Sequence, residues 1–281
     1  MKHKIALPII LFVMLVMVPF ANAQKLSAEE IIAKHLDSIA SAEVRSTLKS
    51  MIVVGEVRVE YITQKNQPAA GRIIFASEGK KSFVGMKLNA GDYPHEQIVF
   101  NGDKASIALV RPGNRSILGN FIQSNGVLLS HGLFAGTLGS SWALLNLDEK
   151  RAKISTSGTK KIDGREAYGL SYSPKGGSDL NITMYFDKET FHHVRTEYSR
   201  TASASMGRTI DESARQSESR IKLIEEFSDF KPFKDVTLPN KYKISYSISG
   251  QNGTTEVEWV STLSEFSVNE KLDPGTFAIG N

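Results

Sequence analysis

This sequence predicts a mainly β protein: a single large curved antiparallel sheet, an incomplete β-barrel of about ten or eleven strands. An N-terminal helix and central helices are expected to cover its concave face. Three observations point to this. Apolar residues recur with a period of two through most of the chain, short turns join successive runs, and one charge-free apolar segment interrupts them.

The chain of 281 residues opens on MKHKIALPIILFVMLVMVPFANAQ. Lys2 and Lys4 give a positive start, Ile5 to Phe20 an apolar run, and Ala21-Asn22-Ala23 the small residues a signal peptidase reads. Residues 1–23 are therefore expected to be a cleaved export signal. The alternative, a membrane anchor, needs ~20 apolar residues with no cleavage site. No Cys follows to carry a lipid, so residues 24–281 are expected to form one soluble periplasmic domain that does not span the membrane after cleavage.

Lys and Arg number 34 against 30 Asp and Glu, a formal net charge of +4, of which the expected signal holds Lys2 and Lys4. So balanced a chain, without a clustered basic face, argues against a nucleic-acid partner. The absence of Cys excludes disulfides, thiolate nucleophiles and thiolate metal sites.

Over 26–39, LSAEEIIAKHLDSI reads as an amphipathic helix. Ser27 and Glu30 form a capping box, and Ile31, Ile32, His35, Leu36 and Ile39 share a face. His35 is expected to be a satisfied core residue rather than a ligand. The period then drops to two: Val53, Val57, Val59 and Tyr61 face one way, Glu56, Arg58 and Glu60 the other. GRIIFAS (71–77) and KSFVGMKL (81–88) form a hairpin around Gly79. EQIVF (96–100) and KASIALV (104–110) form another at Asn101-Gly102-Asp103, a strong turn signal.

Beyond the interruption, REAYGLSYS (165–173), DLNITMYFD (179–187) and FHHVRTEYS (191–199) continue the meander. RIKLIEEFSDF (220–230), NKYKISYSISG (240–250) and TTEVEWVSTLSEF (254–266) complete it. In the second of these, Tyr242, Ile244, Tyr246 and Ile248 alternate with Lys and Ser, so one face is buried and aromatic while the other is wet. Residues 199–218, polar and aperiodic, are expected to be a mobile hairpin tip.

The interruption, Ser116 to Leu147, carries no Lys, Arg, Asp or Glu. Its glycines, serines and His131 argue against a membrane span. Leu128, Leu129, Leu133, Phe134, Leu138, Trp142 and Leu145 instead suit one or two short helices broken near Gly139 and packed on the concave face. A fully packed core and a lid over a cavity are both compatible with this pattern.

Catalytic signatures are missing. There is no G-x-S-x-G, no G-x-G, no P-loop and no H-E-x-x-H. His192 and His193 are adjacent on a strand and face opposite ways. Glu225-Glu226 and the pair Glu256/Glu258 are expected on solvated strand surfaces. No cofactor, catalytic residue or metal site is expected.

The order of these elements, with YFDKETFHHVRTEY (185–198; Tyr185, Phe186, Asp187, Thr190, Arg195), Leu238-Pro239 and the closing EFSVNEKLDPGTFAI (265–279), resembles the LolA/LolB-like superfamily. That family includes outer-membrane lipoprotein-sorting proteins. The resemblance implies an incomplete barrel holding lipid acyl chains under helices, and hence a non-enzymatic periplasmic carrier. Val57, Val59, Phe75, Leu133, Phe134, Trp142, Tyr242, Ile244 and Tyr246 are the expected cavity wall, assigned from alternation and lid position. The expected partners are lipoprotein or lipid acyl chains. The competing readings are an envelope sensor or scaffold with a filled core that binds a protein partner, and an envelope enzyme.

Overall fold

The computed structural model describes residues 25–202, 218–251 and 253–279. The export signal expected over 1–23 lies outside the described residues, as does most of the loop expected over 199–218. Residues 199–202 are strand rather than loop.

Helix α1 (Ala28–Ile39) starts as its sequence dictates. The Ser27 hydroxyl accepts the Glu30 N–H at 3.2 Å while the Glu30 carboxylate accepts the Ser27 N–H at 2.7 Å. Two of the N–H groups that every helix start leaves without a partner are thus satisfied. Ile31, Ile32 and His35 are its buried stripe, and a short α2 (Ala42–Thr47) follows.

All twelve strands belong to one antiparallel sheet that does not close into a barrel. The first five are β1 (Ser50–Tyr61), β2 (Ala69–Glu78), β3 (Lys81–Leu88), β4 (His95–Phe100) and β5 (Ala105–Ile107). The remaining seven are β6 (Lys153–Ile162), β7 (Arg165–Ser173), β8 (Asn181–Asp187), β9 (His193–Ala202), β10 (Ser219–Phe233), β11 (Val236–Gly250) and β12 (Gly253–Val268). The order β5-β4-β3-β2-β1-β12-β11-β10-β9-β8-β7-β6 pairs every chain neighbour except β5 with β6, and it joins the first strand to the last. The free edges are therefore β5 and β6, and the charge-poor segment connects them.

The strand number corrects the expected ten or eleven. The additional strand is β6, KISTSGTKKI, an edge strand exposed at most positions, so no apolar alternation marks it. Strand β5 stops at Ile107 instead of running to Val110, and Leu109 is exposed.

Curvature shows in the aromatic contacts. Phe75 of β2 and Tyr242 of β11 lie three strand spacings apart, roughly 14 Å along a flat sheet. Their rings nevertheless meet at 5.3 Å in a T-shaped arrangement above β1 and β12. The concave face is apolar, and its side chains join those of α1 and the central segment in one core.

The outer face is wet and ion-paired. Glu197 lies 2.5 Å from Lys160 and 3.3 Å from Lys222, Glu226 pairs with Arg195, and Lys243 lies 2.7 Å from Glu258. Exposed pairs of this kind contribute little each, but they keep that face solvated. Asp187, in the Tyr-Phe-Asp stretch, organises the β8–β9 turn. It accepts N–H bonds from Glu189 and Thr190 at 3.0 and 2.9 Å and a guanidinium bond from Arg165.

Candidate functional site

The segment between the two sheet edges folds as α3 (Ile117–Ser124), α4 (Val127–Ser130), a 3₁₀ turn (Gly136–Leu138) and α5 (Leu147–Lys150). It is more broken than the one or two helices expected. No helix among the described residues is long and apolar enough to cross a membrane. Leu118, Ile122, Leu128, Leu129, Leu133, Leu138, Trp142 and Ala143 are all buried against the sheet.

All nine residues expected to wall a cavity are buried, and they share the single core. Val57, Val59, Phe75, Tyr242, Ile244 and Tyr246 come from the concave face; Leu133, Phe134 and Trp142 come from the central segment. Phe121 of α3 packs on Tyr246 at 5.8 Å. A void bordered by Trp142, Met51, Val44 and Val236 has a volume of about 10 Å³, enough for about one water molecule. A larger groove, about 880 Å³, crosses the outer face and is lined by Glu226, Lys243, Val260 and Thr262 among others.

Polar side chains fasten the central segment to the floor, and each is titratable or bonded to a titratable group. Glu225 corrects the sequence expectation most sharply: it is fully buried on the concave face, while Glu226 keeps the expected outer position. The Glu225 carboxyl accepts the Ala135 N–H at 2.7 Å and lies within hydrogen-bond reach of the hydroxyls of Tyr198 and Tyr242. The Tyr198 hydroxyl also lies 3.1 Å from the Leu133 carbonyl. It has one proton and so cannot serve both an ionised Glu225 and Leu133. A protonated Glu225 donates to the Tyr198 oxygen and frees the Tyr198 proton for Leu133, which satisfies every group. Burial pushes the Glu225 carboxyl up to about 7, in keeping with that count.

A second buried acid holds the start of the segment. Glu96 Oε2 accepts from Tyr93 at 2.7 Å and from Ser116, the N-cap of α3, which in turn accepts the Gly119 N–H at 2.7 Å. Tyr93 also receives the Trp259 indole N–H at 3.2 Å, tying β12 to β4. Glu96 Oε1 has no hydrogen-bond partner, and burial raises this carboxyl as well.

The middle of the segment is held from the other side. The Trp142 indole N–H donates to His35 Nε2 at 3.0 Å, and His35 Nδ1 lies 3.0 Å from the Phe191 carbonyl. That pair of partners fixes the neutral Nδ1–H tautomer. Burial holds His35 down to about 3. His193, equally buried, stacks on Trp142 at 4.8 Å, with Nε2 2.8 Å from the Thr196 hydroxyl. His192 lies on the other side, stacked on Phe230 at 4.2 Å, so the two adjacent histidines face apart as their spacing predicts. Ser77 accepts the Ser140 N–H at 2.8 Å.

These features define a class: an open, curved antiparallel sheet whose concave face is covered by a tethered apolar segment. No family model matches the chain, and no curated protein matches it. Among solved structures it is similar to a LolA superfamily protein from Nitrosomonas europaea, with 12% identity over 91% of this chain and 99% of that one and a TM-score of 0.47. It is also similar to a DUF1329 family protein from Desulfovibrio piger, with 12% identity over 89% and 96% of the two chains and a TM-score of 0.46. A domain described as outer-membrane lipoprotein-sorting, from Vibrio parahaemolyticus, shares 10% identity over 88% and 95%, with a TM-score of 0.46. LolA is also the family name that the sequence motifs resemble.

Proposed function

We propose that this protein is a non-enzymatic binding module of the bacterial periplasm that takes up an acyl chain or similar apolar ligand, such as that of a lipoprotein, between the central segment and the sheet. One observation carries the reading. The segment spans from one free edge of the sheet to the other, buries an apolar surface on the concave face, and is held by a few discrete polar contacts. Displacing it exchanges one apolar covering for another. Each CH₂ of an entering chain then contributes about 0.8 kcal/mol, against a handful of hydrogen bonds worth about 1 kcal/mol each. Val57, Val59, Phe75, Leu133, Phe134, Trp142, Tyr242, Ile244 and Tyr246 are the proposed wall of the opened site. The buried acids fit binding rather than catalysis, because their polar contacts include the covering segment itself. The apolar run and small-residue site at 1–23 support export to the periplasm.

The test is uptake of a fluorescent fatty acid by the purified protein, together with mass spectrometry of lipids that co-purify. Saturable uptake that quenches Trp142 supports the reading; protein free of lipid and without uptake sinks it. The volume of only about 10 Å³ beneath the segment favours a second reading, a filled-core scaffold for an envelope protein. That reading predicts partner capture by a protein that takes up no fatty acid.

A further inference from the structure

At one end of the central segment, the backbone of 131–132, the backbone of 141–142 and the side chain of Lys150 are tied in a knot. Lys150 Nζ donates to the carbonyls of His131, Ser141 and Trp142 at 2.6, 2.9 and 3.3 Å. The Ala143 N–H closes on the Gly132 carbonyl at 3.0 Å. Gly132 has φ +65°, and a Cβ there would lie 1.8 Å from the Ser141 carbonyl oxygen and 3.1 Å from Lys150 Nζ. Only glycine fits, so the knot is built around the lysine.

The knot forms the floor of a concavity of about 260 Å³. Lys80, Lys150 and Lys175 line it, with His131 and the hydroxyl residues Ser130 and Ser141. Its one acidic residue, Glu149, is 3.0 Å from Lys80 at the rim. Among the described residues neither Lys150 nor Lys175 lies within ion-pair distance of a carboxylate. Two cations therefore share a recess that contains no free counter-charge, and one of them is held by carbonyl dipoles alone.

We propose that this recess is a binding site for a phosphate group. The recess suits a compact oxyanion: ammonium groups act as point charges on phosphate, and hydroxyls and the Asn146 side chain supply neutral donors around it. Its volume holds a phosphate with a short polyol attached and excludes most larger ligands. The chemistry is shared by free phosphate and by the head group of a phospholipid at a membrane surface. The site lies beside the central segment and does not require that segment to move, so it is independent of the proposed apolar site.

His131 provides the readout. Its Nδ1 lies 2.8 Å from the Tyr172 hydroxyl, and burial together with the Lys150 charge lowers its pKa. An anion in the recess offsets the Lys150 charge and moves His131 back upward. The experiment is an NMR pH titration of the His131 ring, assigned with His131→Gln, in the presence and absence of inorganic phosphate. Sedimentation with vesicles of phosphatidylcholine alone or with phosphatidic acid is measured alongside. An upward shift with phosphate that weakens about tenfold in each of Lys80→Gln and Lys175→Gln supports the site. These two lysines lie at the rim, outside the knot, so their variants keep the fold even if Lys150→Met does not. Retention only on phosphatidic acid vesicles, lost in the same variants, identifies the head group as the source. No His131 shift together with no selective vesicle retention overturns the proposal, as does a shift unchanged in both variants.

Discussion

The indole N–H of Trp142, in the centre of the charge-poor segment, donates to Nε2 of His35 on the N-terminal helix at 3.0 Å. Neither residue belongs to the sheet, so the bond clamps two separate coverings of the concave face to each other. It exists only while His35 is neutral, because a second ring proton would point one N–H at another. The native state therefore resists protonation of His35.

That resistance sets a pH dependence. His35 titrates near 3 when folded and near 6.5 when unfolded, so the unfolded chain binds more protons between those values. Stability is lost as pH falls from 6.5 towards 3, by roughly 4 kcal/mol from this group. His193, also held well below its ordinary value by burial, acts in the same direction. His35→Phe isolates the first contribution. It leaves the Trp142 N–H and the Phe191 carbonyl unpaired and costs about 2–4 kcal/mol at pH 7, but its stability falls less steeply below pH 6.5. Urea unfolding at a series of pH values measures both; parallel wild-type and variant curves would refute the clamp.

Glu225 produces the opposite slope. Its folded value of about 7 lies above the ordinary 4.5, so the native state holds the extra proton between these limits. Its contribution is full below pH 4.5 and declines as pH rises to 7, by roughly 3 kcal/mol. Glu225→Gln mimics the neutral acid, with its amide donating to Tyr198 and its carbonyl accepting from Ala135. The variant is expected to match or exceed the wild type at pH 8 and to lack the decline between 4.5 and 7. A variant markedly weaker at pH 8 would show that the carboxylate, not the acid, is the form that fits.

Glu225 also marks where the sequence was legible and misread. Strand β10 has a period of two, and Glu225 stands two residues from both Leu223 and Phe227, each fully buried. Any residue between them on that face must be buried too, so the signal was present, but it was outweighed by the ordinary preference of a Glu-Glu pair for solvent. The aromatic face of β11 was plain because its alternation is unbroken. Strand β6 was invisible because an edge strand with water on most sides has no apolar period to display. The pairing of β1 with β12 depends on which edge the chain leaves open, and no local pattern encodes that.

Gly136 tests how closely the segment must approach. Its φ is +49°, and a Cβ would lie 2.9 Å from the Phe227 ring and 3.1 Å from His193. Gly79, in the β2–β3 turn, has φ +57° with nothing within 4 Å of the added carbon. Gly79→Ala therefore costs about 1 kcal/mol through backbone strain alone. Gly136→Ala adds overpacking and costs about 2–4 kcal/mol. If the segment covers a binding surface, this variant also takes up fluorescent fatty acid faster than the wild type. Equal costs in thermal unfolding would mean that Gly136 is only a turn residue.

A crosslink tests whether the segment must move at all. The hydroxyl oxygens of Ser77 on β2 and Ser140 in the segment are 3.0 Å apart and buried. A disulfide needs β-carbons about 3.8 Å apart and a sulfur–sulfur bond of about 2.05 Å, which this approach accommodates with little backbone shift. The chain has no cysteine of its own, so Ser77→Cys with Ser140→Cys yields a single defined bridge. Oxidised, the double variant is expected to gain about 2–4 kcal/mol of stability and to lose fatty-acid uptake, with both effects reversed by reductant. The single variants control for loss of the serine bonds. Uptake that persists in the fully oxidised protein would mean that ligand does not enter beneath this part of the segment, and would leave the filled-core scaffold as the better account of the fold.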